Sequence, residues 1–260
     1  MIGDKWMRKI QVDVAGRGFE YPGLNIEFRV DFDLDEEADT AEIDIYNLSE
    51  DSRNRIKKGE PVSLSAGYQQ DMGTVFLGVI EDVLTERRQA DVVTTIEAID
   101  ASEDWMHNKY SASYKDGIKA SAVLRDLLDK TGLEIGELDL PDDKTYTNGK
   151  AVSGRIKESV GQVARDCGAR LHVVNGAVFI TSKEYKQDVG LLLNKDTGLI
   201  GSPQRVDTDD AEWEVTCLFD HRLRAGAGIR IESNTANGDY AIVSGEHRPD
   251  YTTVLQVVSG

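Results

Sequence analysis

The residues best spaced for chemistry are the carboxylates of the run DFDLDEEADTAE, residues 31–42. Counted from the first aspartate, they occupy the six ligand positions of a calcium-binding loop: Asp31, Asp33, Asp35, Glu37, Asp39 and Glu42. Two features oppose this interpretation. Glu36 stands where such a loop needs glycine for its sharp turn, and the flanking residues alternate in polarity as strands do. The run is therefore predicted to be the solvent face of a strand and its turn, with no metal bound.

The other candidate catalytic and ligand residues lack the spacing that their chemistry requires. The histidines are His107, His172, His221 and His247, and none lies in an HExxH motif or beside a cysteine pair. His221 and His247 are expected to be close together only if the last strands pair. The sequence has no GxSxG motif, and the GxG patterns at 16–18 and 226–228 lack a third glycine. We therefore predict no catalytic, cofactor-binding or metal-binding residue.

Carboxylate pairs for glycoside hydrolysis cannot be identified by counting. The chain has 47 Asp and Glu residues, so suitable pairs occur at almost any spacing. This abundance carries no information about catalysis. An enzyme that degrades cell walls, as a glycosidase or a peptidase, stays open as an alternative function.

Composition predicts a soluble globular protein of two or three small domains. The chain has 260 residues, of which 40% are hydrophobic and 30% charged. Its two cysteines, Cys167 and Cys217, form no CxxC motif and are expected to be buried, as in a protein from a reducing compartment. The N-terminus lacks the apolar core of a secretory signal, and no apolar run is long enough to cross a membrane.

The net charge of −17 argues against binding to a phosphate backbone. Proteins that bind nucleic acid for affinity present clustered Lys and Arg. An acidic surface suits the opposite purpose, because it lets nucleic acid pass without adhering.

Residues 1–106 are predicted to form a β domain with one short helix. IEFRVDFDL alternates strictly, and AEIDIYNL is expected to pair with it. Ser49 is predicted to cap a helix of about two turns that ends at Gly59. Further strands follow in PVSLSAGY, TVFLGVIEDVL and DVVTTIEAID, with QQDMG and TERRQA as the connections between them. Five or more short strands indicate a small barrel or sandwich.

Residues 107–186 change to a helix-plus-hairpin pattern. Apolar residues at helical spacing predict one helix over 119–130, ending at Gly132, and another that ends at Gly168. The Asn175-Gly176 pair between ARLHVV and AVFIT predicts a tight hairpin. The segment PDDKTYTNGKAVSG, residues 141–154, is expected to be an exposed loop.

Residues 187–260 return to strands, in an order that repeats the first β region. Gly59 and Gly226, before the first strand compared, lie 167 positions apart. The other matched landmarks are Gly73 with Gly238, Glu81 with Glu246, and Thr94-Thr95 with Thr252-Thr253. Two β regions can share such an order by chance, but four landmarks with small slippage favour duplication. We predict a mainly β (α+β) protein with two related small β-barrels flanking the α/β domain.

These motifs resemble the baseplate or tail hub family of tailed phages and contractile injection systems. The resemblance is carried by EIDIYNLSEDSRNRIKKGEPVSLSAGY, VFLGVIEDV, TTIEAIDASEDW and LRAGAGIRIES…GDYAIVSGEHRPDY, and it covers nearly the whole chain in organisation. It implies a homotrimer in which paired barrels form a pseudo-hexameric ring. Such a ring joins a sixfold tail tube to a threefold spike, contacts other baseplate or tail-tip proteins and passes DNA along its lumen.

The resemblance also sets expectations for sites and surroundings. It places the protein in the virion tail, assembled in the host cytoplasm, without cofactors and without enzymatic activity. Because the chain stops directly after its last strand, lysozyme and spike domains are expected on separate chains. The polar strand face of Glu27, Asp31 and Asp33 is the candidate for an acidic lumen surface. A module that binds carbohydrate or protein through one barrel face is the remaining alternative.

Overall fold

The computed structural model describes residues 7–35, 38–100, 105, 107–182, 187–206, 208 and 210–259. It is mainly β, as predicted, and it divides into two compact units. The first unit contains residues 1–33, 39–99 and 186–260, and the second contains 34–38 and 100–185. Both β regions of the sequence therefore belong to one unit. No helix in these ranges is long and apolar enough to cross a membrane.

The secondary-structure elements have the following bounds. The helices are α1 (Glu50–Arg53), α2 (Ala120–Leu128) and α3 (Ile156–Asp166). The strands up to residue 99 are β1 (Arg8–Val14), β2 (Arg17–Tyr21), β3 (Ile26–Asp33), β4 (Thr40–Tyr46), β5 (Pro61–Tyr68), β6 (Asp71–Arg88) and β7 (Asp91–Ile99). The second unit has β8 (Lys109–Tyr114), β9 (Ile118–Lys119), β10 (Glu134–Leu138), β11 (Thr145–Tyr146), β12 (Lys150–Arg155), β13 (Arg170–Val174) and β14 (Ala177–Thr181). The last strands are β15 (Gln187–Leu193), β16 (Leu199–Arg205), β17 (Trp213–Leu218), β18 (Ala227–Glu232), β19 (Asn237–His247) and β20 (Thr252–Ser259).

The two β regions of the first unit share one strand order. In the first module, β1 to β7, the path is β1-β5-β6-β7-β4-β3, with β2 added outside β1. In the second module, β15 to β20, the path is β15-β18-β19-β20-β17-β16. Each strand matches its counterpart in chain order, which confirms that the modules are related. One pair differs in direction, because β15 runs parallel to β18 whereas β1 runs antiparallel to β5.

The glycine joint before the second strand of each path is repeated in its hydrogen bonds. The N–H of Gly59 donates to the carbonyl oxygen of Ile80 at 2.8 Å, and that of Gly226 donates to Ile242 at 2.9 Å. Both glycines have positive φ, +84° and +76°, which disfavours any residue with a Cβ atom. A bulge directly follows Ile80 in β6 and Ile242 in β19. The repeated joint therefore fixes where each chain enters its sheet.

Beyond this joint, the strand pairing shows that some residues matched between the two modules in the sequence are not structurally equivalent. The first strands keep the offset of 167, because Pro61 and Gly228 occupy the same place opposite Val79 and Ala241. The equivalence of Ile80 and Ile242 then places Leu84, not Glu81, at the position of Glu246. Thr94 corresponds to Thr253, and both are fully buried. The offsets differ because both hairpins of the second module have shorter paired arms than those of the first.

Helix α1 is shorter than the sequence predicted. Ser49 caps it as expected, since its hydroxyl accepts from the N–H of Ser52 at 3.2 Å. The helix ends at Arg53, so Gly59 terminates a following turn and not the helix itself. A single turn gains little from helix propensity and persists only through its cap and its neighbours.

Strand β6 is longer than predicted. The composition of TERRQA predicts a connection, but β6 continues through Arg88 and turns at Gln89, which has φ +58°. Residues 82–88 pair with β7 on one side. The polar side chains that indicated a loop belong instead to an exposed stretch of strand.

The two modules join through backbone pairing and an aromatic cluster. Strand β19 pairs antiparallel with β3 over Ser244–His247 and Asp33–Val30, which makes one continuous sheet. Six rings from both modules meet beside this pairing, and we call them the aromatic junction: Phe28, Phe32, Tyr68, Phe219, His247 and Tyr251. Centroid separations of 4.9–5.9 Å and tilted or T-shaped geometries are those that aromatic pairs prefer.

Tyr251 ties the second module to the first at the centre of this cluster. Its hydroxyl donates to the carbonyl oxygen of Lys9 at 2.7 Å and accepts from the N–H of Gly67 at 3.4 Å. The Arg8 guanidinium lies 4.7 Å from the ring centroid. Nearby, the His221 ring leaves no room for a side chain at Gly73, where a Cβ atom would lie 2.2 Å from the imidazole. These contacts join loops of the second module to β1, β5 and β6.

The second unit has its own core of helices and strands. Strands β10, β14 and β13 form a sheet, and α2 and α3 bury their apolar faces in a cluster that includes Leu124, Leu127, Val160 and Val163. The predicted hairpin is present, with φ of +51° at Asn175 and +75° at Gly176. Both helices and the hairpin confirm the predicted fold of this region.

The segment 141–154 is largely exposed, as its turn-forming residues predicted, but it is not a loop throughout. It contains β11 and most of β12, and Tyr146 and Val152 are each only 8% exposed within the core. The Tyr146 hydroxyl donates to Asp166 at 2.7 Å, and Lys150 forms an ion pair with the same carboxylate. Tertiary contacts thus override the local turn signals.

Replacing Tyr251 with phenylalanine is expected to loosen the aromatic junction. The variant keeps the ring but leaves the Lys9 carbonyl without its donor, which should lower the free energy of unfolding by about 1–2 kcal/mol. Urea denaturation measures this loss. Tyr240→Phe is the matched control, because Tyr240 is buried in the second module and its hydroxyl has no hydrogen-bond partner among the described residues. Equal stability of the two variants would contradict the role assigned to Tyr251.

Candidate functional site

The predicted acidic residues lie on the outward face of β3. The strand buries Ile26, Phe28, Val30 and Phe32, and it turns Glu27, Asp31 and Asp33 to the other side. Asp31 is exposed, whereas Glu27 and Asp33 are half-buried. The three share a face, as predicted, but their surroundings differ. Glu27 accepts from the Tyr46 hydroxyl at 3.2 Å, and Asp31 faces the second module.

Asp31 stands among like charges at the joint between the modules. It is the register partner of Glu246 on β19, and Glu42 of β4 is a further carboxylate nearby. Although the residue as a whole is exposed, partial burial of its carboxyl raises the pKa of Asp31, and the charges of Glu246 and Glu42 raise it further, against the opposing effect of Arg29 and Arg248. The joint therefore holds more negative charge than its arginines neutralise.

Two arginines hold Glu246 in place. Arg29 forms an ion pair with one of its carboxylate oxygens, and Arg248 lies 2.8 Å from the other. Both arginine side chains are more exposed than the carboxylate, at 52% and 43% against 18%. The pairs orient Glu246 along the face rather than remove its charge, since exposed ion pairs of this kind contribute little energy.

Acidic residues of three further strands extend this face. Asp82 on β6 pairs with Glu97 on β7, Glu97 pairs with Glu42 on β4, and Glu42 pairs with Arg29 on β3. Direct register partners on one face have Cβ atoms about 5 Å apart, so the carboxylates form a row across the sheet. We call this row, together with Asp31 and Glu246, the acidic face. Only the β3 part of this face is visible in the sequence, because the row depends on strand order.

A more buried polar cluster lies where β6, β7 and β4 meet. Asp44 is 8% exposed; its carboxylate accepts from Arg88 and from the Thr95 hydroxyl, each at 2.5 Å. Glu86 binds the same guanidinium at 2.6 Å, and these hydrogen bonds raise the pKa of Arg88. The cluster fixes the end of β6 with charge-assisted hydrogen bonds and contains no candidate nucleophile.

The calcium-like run is divided between strands and their turn. Asp31 and Asp33 are on β3, Glu42 is on β4, and Glu37 lies outside the described residues. The Asp39 carboxylate accepts from the N–H of Asp33 at 3.0 Å, so it caps the turn. Within the described ranges, no group of three or more His, Cys, Asp or Glu residues is placed to hold a metal ion.

The histidines lie in four different surroundings. His247 is 2% exposed; its Nδ1 lies 2.8 Å from the Thr253 hydroxyl and its Nε2 3.0 Å from the Leu223 carbonyl oxygen. Burial lowers the pKa of His247 to about 3, and His221 is close enough to lower it further. His172 stacks on Phe179 at 5.3 Å, and burial lowers its pKa to about 4. His107 is exposed. Cys167 and Cys217 are both buried, as expected.

The buried imidazole of His247 should make stability depend on pH. Unfolding frees it to bind a proton below its ordinary pKa near 6.5, so the stability present at pH 7 is lost as pH falls toward 3. Between about pH 6 and pH 4.5, one such histidine contributes a slope of about 1.4 kcal/mol per pH unit. Urea unfolding of His247→Gln should show that slope reduced, whatever its stability at pH 7. The exposed His107→Gln control should retain the slope, and an unchanged slope in His247→Gln would refute the assignment.

Neutralising Asp31 should relieve repulsion on the acidic face. A carboxyl with a raised pKa favours folding most below its ordinary pKa, and this advantage is lost as pH rises through the raised value. Asp31→Asn should therefore raise the free energy of unfolding at pH 7 by up to about 0.5 kcal/mol, with no gain near pH 3. Glu20→Gln, on exposed β2, removes the same net charge as a control. Equal gains in both variants would trace the effect to total charge rather than to the joint.

Sequence comparison finds no family profile and no curated protein that matches this chain. Comparison with solved structures finds similar folds along nearly its whole length. The 43 kDa tail protein of prophage MuSo2 from Shewanella oneidensis has a TM-score of 0.69 at 11% identity, over 97% of each chain. A tail protein from Neisseria meningitidis MC58 has a TM-score of 0.68 at 10% identity, over 97% of this chain and 96% of that one.

A third structure comes from a secretion system. An E. coli component of the type VI secretion system, described as structurally similar to the T4 bacteriophage tail proteins gp27 and gp5, has a TM-score of 0.60 at 10% identity. The match covers 96% of this chain and 76% of that one. Identities this low establish a common fold and no more. The chain thus has the fold of these tail and secretion-system proteins, which confirms, for the fold, its resemblance to the baseplate and tail hub family.

Proposed function

We propose that this protein is a structural hub of a phage tail baseplate or of a related contractile injection system. In this role it forms a homotrimeric ring in the virion tail, after assembly in the host cytoplasm. The ring joins a sixfold tail tube protein to a threefold spike protein and contacts other baseplate or tail-tip proteins. The observation that carries the proposal is the shared strand order of the two β modules.

The two modules give a trimer the means to imitate sixfold symmetry. Three chains with two similar modules each present six similar sheet surfaces around an axis. The modules are similar but not identical, since β15 reverses the direction of its counterpart β1. The second unit occurs once per chain and supplies threefold features for the spike. The mechanism is symmetry adaptation by geometry.

The acidic face suits a channel that conducts DNA. Its carboxylates repel the phosphate backbone, and the net charge of −17 extends this repulsion over the whole chain. Glu27, Asp31 and Asp33 belong to the lumen surface in this arrangement, with Glu42, Glu97 and Asp82 beside them. DNA then passes through without specific binding.

The proposed role needs no catalysis. The buried titratable groups have structural roles in this proposal. Asp44 binds Arg88, and His247 binds Thr253 and the Leu223 carbonyl oxygen. Turnover of peptidoglycan by the purified chain would favour a cell-wall-degrading enzyme instead.

Light scattering after gel filtration tests the assembly. A hub should elute with three times the 28.7 kDa mass of the chain and dissociate on dilution to the single-chain mass. Electron-microscope projections should show six similar densities around a channel with threefold modulation. A monomer that persists across micromolar concentrations, with no ring in the images, would contradict the proposal.

A further inference from the structure

The strand pairing that joins the two modules of one chain provides a template for strand pairing between chains. In the first module, the counterpart of β19 is β6; in the second module, the counterpart of β3 is β16. The chain pairs β19 with β3. The equivalent pair, β6 with β16, is not formed within the described chain, where each of these strands keeps an open edge at the corresponding place.

The open edge of β6 is its second half. Strand β5 covers residues 71–79 on this side, and the Glu60 carbonyl oxygen accepts from the N–H of Ile80 at 2.9 Å. Beyond Ile80, no described strand pairs with this edge, although β7 continues on the opposite side. In the second module, the same stretch, Ser244–His247, is covered by β3. Leu84 at the open edge is 56% exposed, whereas its counterpart Glu246 has a side chain only 18% exposed.

The outer side of β16 pairs with no described strand, and the Thr235 hydroxyl binds the carbonyl oxygen of Pro203 there at 3.0 Å. Strand β16 pairs with β17 and ends the strand path of the second module. Its register on β17 makes Arg205 the counterpart of Val30, and Val206 the counterpart of Asp31. Ile200 on this strand is 41% exposed.

We propose that β16 of one copy pairs antiparallel with residues 82–88 of β6 in the next copy, in the register of the β19–β3 joint. Leu84 then lies opposite Val206, and Thr85 lies opposite Arg205, in place of Glu246–Asp31 and His247–Val30. The contact is heterologous, because each chain offers one edge and receives the other. A rotation that repeats this contact closes a ring in which joints within and between chains alternate. This inference rests on the proposed hub function and specifies its subunit interface.

The joint between chains should be weaker than the joint within one. The intrachain joint is supported by His247, Phe219 and Tyr251, whose counterparts in the first module are Thr85, Asn47 and Val92. These residues cannot rebuild the aromatic junction. The interface thus has the backbone pairing without its aromatic core, so each chain should fold with its internal joint closed before it assembles.

Disulfide trapping tests the pairing in the full-length chain. Leu84→Cys and Val206→Cys, combined in one chain and oxidised with copper phenanthroline, should produce covalent dimers and trimers, because register partners lie within disulfide reach. The two native cysteines are buried and stay in place. Leu84→Cys with Gln204→Cys moves one partner two residues along β16, and its cross-linking should fall several-fold.

Two further pairs serve as controls. Asp31→Cys with Glu246→Cys occupies the equivalent place inside one chain, and it should close within the monomer without adding mass. Glu20→Cys with Asp188→Cys lies on the edge strands β2 and β15 and should give no covalent oligomer. Failure of the Asp31–Glu246 pair to close would overturn the joint from which the interface is inferred.

The outcomes separate the inference from the proposed function. A trimeric mass without cross-linking of Leu84 to Val206, or with cross-linking through β2 and β15, overturns the β6–β16 interface and leaves the hub function standing. A chain that neither assembles nor cross-links at high concentration overturns both. Covalent rings from the Leu84–Val206 pair alone support both.

Discussion

The structure depends on the joint that holds two β modules in one sheet. Four residue pairs between β19 and β3 supply backbone hydrogen bonds, and the aromatic junction beside them excludes water. Backbone pairing alone would be weak over so short a length. The six rings make it stable, and Tyr251 adds hydrogen bonds to two strands of the other module. The acidic face, the strand order and the open edges all follow from this arrangement.

The two modules could be predicted from the sequence, but the residue-by-residue correspondence between them could not. Alternation in each strand and the glycine joints at Gly59 and Gly226 were visible locally, so the fold class and the duplication could be inferred. The register was not visible, because the hairpin connections differ in length and the conspicuous Glu81 and Glu246 are not equivalent. Strands β15 and β16 were missed, since glycine and a proline interrupt their pattern. Likewise Tyr146 is buried by contacts that its turn-rich neighbours gave no reason to expect.

The acidic face could be predicted only in part. Alternation places Glu27, Asp31 and Asp33 on one side of a strand without any knowledge of the fold. Their neighbours Glu42, Glu97 and Asp82 come from three strands whose adjacency is a property of the whole sheet. Burial raises the pKa of Asp31, and the charge of Glu246, more than 200 residues away in sequence, raises it further. A property that needs tertiary proximity has no local signature in the chain.

The unusual length of β6 has a mechanical consequence. An 18-residue strand extends for about 60 Å, and it is paired with β5 along its first half and with β7 along its second. A load applied along this strand is shared by many backbone hydrogen bonds in shear, whereas a load across a short hairpin opens its bonds one after another. Strand β6 therefore gives the first module a continuous element that resists tension along its length.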